Sequence, residues 1–97
     1  MLFALICADR PASQEVRAAA RPDHLAYLER YTDKLVHAGA LLDAEGRAGG
    51  SLLIIDVEDR AAAEGFAAAD PYAKVGLFES TVIRPYRAVF RDGERIG

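Results

Sequence analysis

Apolar positions open the chain as an unbroken run, Leu2 to Ala8, which Asp9-Arg10-Pro11 stops abruptly. A short run of that kind, bounded by turn residues, suits a strand covered on both faces and hence a central one. From Asp9 to Ala20 the chain is polar and alanine-rich, so a connecting arm is expected, extended at Pro11 and turning helical towards Val16. Pro22 then suits the first turn of a helix, and Leu25, Leu28, Thr32, Leu35 and Gly39 recur at alternating spacings of three and four. This predicts an amphipathic helix ending near Ala38, with Gly39 free to take positive φ beyond it and Lys34 and His37 beside its negative end.

Leu41 to Glu45 reads as a short strand, Gly46 with Gly49-Gly50 as a turn, and Ser51 to Val57 as the strongly apolar second arm of a hairpin. Asp59 can cap a second helix with a buried stripe of Ala62, Ala63, Phe66 and Ala67, and Asp70-Pro71 ends it. Phe78 to Phe90 is rich in β-branched and aromatic residues, and its break at Pro85 suits an edge strand. The order β-α-β-β-α-β, closed by right-handed crossovers, predicts an α+β, ferredoxin-like fold: a four-stranded antiparallel sheet with two helices on one face, a single domain over residues 1–97.

Two helices cover one side of such a sheet, yet apolar residues occupy both. Phe3, Leu5 and Cys7 alternate with Leu2, Ala4 and Ile6, and Leu53, Ile55 and Val57 alternate with Leu52 and Ile54. One set would stand in water in a lone copy. A homodimer that pairs the open faces resolves this better than the arm at Pro11 or the C-terminal tail, both rich in charge and glycine.

A hydrophobic fraction of 52% with 28% charged residues describes an ordinary globular chain. The formal net charge of -3 leaves no excess positive charge to neutralise a phosphate backbone, which argues against nucleic acid as a partner. Cys7 is the only cysteine, so no intrachain disulfide forms, and the chain suits a reducing, cytoplasmic setting. The opening MLFALICA lacks the basic flank of a signal sequence, and no other apolar run approaches the roughly 20 residues of a membrane helix. A membrane location is not expected.

Among residues able to do chemistry, His24 lies on or beside the stripe of the first helix, four before Leu28. Near that helix's start, the positive end of the dipole would favour neutral imidazole, an available base. Asp70 is the best partner carboxylate, where the second helix ends, able to fix the tautomer and stabilise an imidazolium. Both residues also have plain readings, as a hydrogen-bonded core histidine and ordinary Asp-Pro turn chemistry. Arg17 and Arg21, four apart, could fork around an anionic ligand or stand in solvent. Ser51, following Gly49-Gly50, could help hold an oxyanion or merely leave a turn. Tyr72, Tyr27 and Tyr31 could line a pocket or pack against the stripe. Cys7 reads as inert core and His37 as exposed. No cluster has metal spacing and no glycine-rich phosphate loop occurs, so neither metal nor cofactor is expected.

The opening strand, Arg17, Arg21-Pro22-Asp23-His24-Leu25, Gly49-Gly50-Ser51, Asp70-Pro71-Tyr72 and Val82-Ile83-Arg84-Pro85-Tyr86 follow one another in the order of the YciI-like family, which this chain resembles over most of its length. The resemblance implies a dimeric ferredoxin-like barrel, related in fold to muconolactone isomerase, with a His/Asp dyad in a pocket of each subunit, here His24 and Asp70. One branch of that family eliminates chloride from a chlorinated hydroxyhydroquinone without a cofactor. The hairpin from Ala44 to Gly50 is shorter than the loop that often walls the family's pocket.

Two functions follow as expectations. In one, a cofactor-free lyase or isomerase uses His24 as base, Asp70 to orient it, and Arg17 or Arg21 to stabilise the developing anion, with Ser51 and Tyr72 against the substrate. In the other, the same pocket binds a small anionic or aromatic metabolite without turning it over. A purely structural role would leave no cavity beside His24 and Asp70.

Overall fold

Leu2–Asp9 forms strand β1, with antiparallel neighbours on both sides, in a computed structural model that describes Met1–Gly97. Its neighbours are β3 (Ala48–Asp56) and β4 (Phe78–Pro85), and β2 (Leu35–Leu42) extends the sheet beyond β3, giving the order β2-β3-β1-β4. Helix α1 (Gln14–Glu29) joins β1 to β2, and α2 (Arg60–Ala69) with the short α3 (Pro71–Lys74) joins β3 to β4. This is the expected ferredoxin-like α+β arrangement. After β4 the tail makes a small hairpin of β5 (Phe90–Arg91) and β6 (Glu94–Arg95).

The alternation along the two central strands decides what is buried. Phe3 stands opposite Ile55 and Leu5 opposite Leu53, and these four form the core with Tyr27 and Leu28 of α1 and Ala63 and Phe66 of α2. Burying each of the leucine, isoleucine and phenylalanine side chains among them contributes roughly 1.5–3 kcal/mol. Cys7 belongs to the same face, where burial pushes its thiol above the ordinary range against the pull of a hydrogen bond to Thr81, as suits an inert core cysteine. On the opposite face Ile6, Leu52 and Val82 are 41%, 37% and 45% exposed. The tail reaches part of that face, since Tyr86, Ala88 and Phe90 enclose a concavity with Val36, His37 and Ile54.

Four boundaries differ from expectation. Helix α1 begins at Gln14, not at Pro22, because the alanine run from Ala18 to Ala20 favours helix strongly enough to carry the chain through an interior proline. It stops at Glu29, and Leu35, which matched the helical spacing, is already a strand residue opposite Ile55. His37 is therefore an exposed strand residue rather than a helix-end one.

The hairpin turn also lies earlier. Asp43 Oδ1 accepts from the backbone N–H groups of Glu45 and Arg47, and Gly46 takes φ +82. Gly49 and Gly50 consequently fall inside β3. A Cβ on Gly50 would meet the Cys7 carbonyl oxygen at 2.5 Å, so glycine there permits β1 and β3 to approach. Finally, the last strand ends at Pro85 rather than continuing to Phe90, since proline cannot donate to the ladder.

Expected caps form on the second helix: Asp59 accepts from the Ala62 N–H at 2.8 Å, and the chain turns extended at Asp70. Near its end the Phe66 carbonyl accepts the Tyr27 hydroxyl at 2.8 Å, tying α1 to α2 through a carbonyl in the helix's last turn. Burial pushes the Tyr27 phenol from 10.0 up to about 12. The folded state thus favours the neutral phenol, a contribution present below pH 10 and lost as pH rises towards 12. Tyr27→Phe should lower stability by about 1–2 kcal/mol at neutral pH. In urea denaturation across pH, the difference between the two proteins should shrink in that alkaline window.

Candidate functional site

Arg17, Arg21, His24 and Leu28 follow at intervals of four, three and four along α1, so they form one stripe of the helix. That stripe meets Ser51 and Leu53 of β3, Ala38, Gly39 and Ala40 of β2, and Tyr72 of α3, and these residues line a cavity of about 200 Å³. Five of the six residues to which the sequence reading gives a catalytic or substrate-contacting role therefore share one cavity. The sixth, Asp70, stands behind His24.

Asp70 closes α2 and opens α3, with Pro71 in the first position of the new helix. One of its oxygens, Oδ1, accepts the Tyr72 backbone N–H at 2.9 Å and lies 2.8 Å from His24 Nδ1. Both side chains are nearly enclosed. An ionised carboxylate can only accept, so the geometry assigns the proton to Nδ1 and leaves Nε2 as the free nitrogen. No buried side-chain nitrogen or oxygen lacks a partner, and Nε2 bonds to nothing in the chain, so Nε2 is open to the cavity that His24 lines. The expected role of the helix dipole falls away: with α1 starting at Gln14, His24 lies past the middle of a 16-residue helix, out of reach of its terminal charge.

Tyr72 lies flat against the imidazole, with ring centroids 3.9 Å apart and planes inclined by 15°. The Arg17 guanidinium carbon is 4.6 Å from the centroid of the same ring. Burial holds the Tyr72 phenol above its ordinary range, against the opposing charges of Arg17 and Arg21. The stack leaves the imidazole little freedom to turn.

Arg17 does not form the expected fork with Arg21. Its Nε and Nη2 donate to the two oxygens of Asp9 at 2.7 and 3.1 Å, and Nη2 also donates to Ser51 Oγ at 2.8 Å. Burial works against the charge on this guanidinium, and the Asp9 carboxylate more than restores it. Arg21, by contrast, is exposed, lines the cavity and has no carboxylate partner. Ser51 differs as well. It sits in mid-strand, opposite Cys7 on one side and Ala40 on the other, so it contributes a hydroxyl and not free turn amides.

Two contributors escaped the sequence reading. Asp9 looked like a strand stop, and its only signal was an opposite charge at Arg17, eight residues on. The spacing places Ala38 at the end of a helix and Gly39 just beyond it and gives Ala40 no element, whereas all three form one wall of the cavity. Tyr27 and Tyr31 do not join the site; with Phe66 they line a separate concavity of about 450 Å³ between α1 and α2, whose only charged residues are Lys34 and Glu58. Nowhere do three His, Cys, Asp or Glu side chains converge, and no helix is long and apolar enough to cross a membrane.

Comparison with known proteins places this geometry in context. Residues 1–87 match the model of the YCII-related domain. Protein YciI of Escherichia coli is 37% identical over 98 residues, an alignment covering 93% of this chain and all of that protein. A Haemophilus influenzae protein is 34% identical over the same span. Among solved structures, 5-chloro-2-hydroxyhydroquinone dehydrochlorinase (TftG) from Burkholderia phenoliruptrix, in complex with 2,5-dihydroxybenzoquinone, superposes with a TM-score of 0.86. It is 35% identical, over 90% of this chain and 94% of that one.

Removing one partner of a buried ion pair strands the other charge, at a cost of about 3–5 kcal/mol. Asp9→Ala should therefore destabilise the fold by that order in chemical denaturation, and adding Arg17→Met to it should recover part of the loss.

Proposed function

The chain belongs to the YCII-related domain family, and on that premise we propose that it is a small-molecule-processing enzyme of the lyase or isomerase type, working by proton transfer at His24 without a cofactor. The observation that carries this reading is where polarity is buried. Apart from the tyrosines, the buried polar or charged residues are Arg17, His24, Ser51 and Asp70, and all four belong to the one site, with the enclosed Asp9 carboxylate beside Arg17. Burying such groups costs stability, so their concentration beside a cavity favours a site for chemistry over a packing role.

In this mechanism Nε2 of His24 takes a proton from a hydroxyl or an acidic C–H of the substrate. Asp70 holds the imidazole in the required tautomer and stabilises the imidazolium that forms. The electron pair left on the substrate accepts the proton back at another carbon, which completes an isomerisation; where that carbon bears a leaving group, removal of a second proton expels it as the anion. Arg21, the cation with no partner, faces the developing anion, while Arg17 fixes Ser51 and Tyr72 in place. The likeness to a dehydrochlorinase makes a substituted hydroxyhydroquinone the first substrate to try.

Chloride release from 5-chloro-2-hydroxyhydroquinone by wild type, His24→Ala and Asp70→Asn tests this directly. Loss of the base should lower kcat by about 10²-fold or more, and loss of the orienting carboxylate should also lower it. Unchanged turnover in His24→Ala would sink the reading.

The same proposal includes a homodimer in which two copies pair their open sheet faces. It is supported by the row of Ile6, Leu52 and Val82, aligned across three adjacent strands and left in solvent in a single chain. Sedimentation equilibrium at micromolar concentration should give a dimer for wild type and a monomer for Leu52→Lys; a wild-type monomer would refute the assembly.

A further inference from the structure

The cavity beside His24 exists because the helices leave part of their own side of the sheet uncovered. Ala38 stands opposite Leu53 and Ala40 opposite Ser51, so their methyl groups lie on the face that α1 and α2 pack against. Leu53 and Ser51 are buried, yet Ala38 and Ala40 are exposed. Gly39, opposite Leu52, would direct a side chain to the other face and presents only backbone to the cavity. The wall formed by β2 is thus as thin as two methyl groups allow.

Charge within the cavity is equally restricted. Arg17 is neutralised by two hydrogen bonds from its guanidinium to Asp9, and Asp70 is committed to His24 and the Tyr72 amide. Arg21 remains the one lining cation with no partner. An apolar cavity of about 150 Å³ accommodates benzene, and drug-sized ligands need about 300 Å³ or more. A volume of about 200 Å³ lies between these limits.

We propose that Ala38 and Ala40 set the size of the ligand and Arg21 its charge, so that the site selects a single ring bearing one negative group. The inference rests on the reading of this cavity as the substrate site and adds what decides selectivity there. Each residue has its own consequence. A larger side chain at either alanine occupies the volume a ring needs, and valine is well tolerated in a strand, so the variant retains its fold. Arg21, being exposed, can be replaced without stranding a buried partner.

Isothermal titration calorimetry with benzoate, phenol and 2-naphthoate provides the test, with benzoate as the single-ring anion, phenol as its neutral counterpart and 2-naphthoate as the two-ring anion. Wild type should bind benzoate at least about tenfold more tightly than either of the others, a difference of about 1.4 kcal/mol. Arg21→Gln should remove most of the advantage of benzoate over phenol, and Ala40→Val or Ala38→Val should weaken both single rings. The inference is overturned if 2-naphthoate binds as well as benzoate, if Arg21→Gln leaves the benzoate-to-phenol ratio unchanged, or if benzoate does not bind. These are binding ratios, whereas the dyad is judged by turnover in His24→Ala, so the two readings fail separately.

Discussion

One oxygen atom organises the half of this molecule that holds the cavity beside His24. Asp70 Oδ1 accepts the amide that starts α3 and faces the imidazole of α1, so at the point where Pro71 stops α2 a single acceptor fixes how α3 departs and how His24 is turned. Because Tyr72 follows two residues later, the same turn lays its ring against the imidazole. Removing that carboxylate would leave a buried amide and a buried imidazole nitrogen without partners, each costing about 1–3 kcal/mol. A residue that caps a helix start and holds a buried imidazole is constrained twice over.

A second anchor operates at the other end of the cavity. Arg17 reaches from α1 to Asp9 at the end of β1 and to Ser51 in β3, locking the early turns of the helix to the sheet. Between the two anchors the stripe of α1 has its separation from the sheet set by polar contacts, not by interlocking apolar side chains. Polar contacts hold a gap that close packing would fill. The cavity and the polar network are therefore two aspects of one arrangement.

In a chain of this size such an arrangement is costly, because only a modest share of the surface is buried and the apolar core must offset the desolvation of four polar residues. The core compensates by being closely cross-linked: Phe3, Leu5, Leu53 and Ile55 form a paired layer that receives Tyr27, Leu28 and Phe66 from both helices. Tyr27 also spends its hydroxyl on a helix carbonyl. Leu28 and Leu53 belong both to this core and to the cavity wall, so the polar site is built directly onto the apolar layer that supports it.

Periodicity made the sheet legible, since Leu2 to Ala8 and Ser51 to Val57 are too apolar and too short for anything but central strands, and their two-sided pattern showed that one face would lack cover. The second helix was equally plain from Asp59 and Asp70-Pro71, because caps and prolines act locally. The first helix was misplaced because Leu35 and Gly39 happen to continue a helical spacing, while the real start at Gln14 is favoured by an alanine run without an apolar stripe. The residue types His24 and Asp70 were visible as candidates, strengthened by motif resemblance. Their 2.8 Å contact, the capture of Arg17 by Asp9 and the exposed alanines of β2 were not. Each of those depends on segments eight to 46 positions apart meeting in space, a matter of how helices settle on a sheet and not of any local preference. The sequence by itself determined which strands are central and which residue types could act; only the tertiary packing decided which of those residues meet, and which one keeps its charge free.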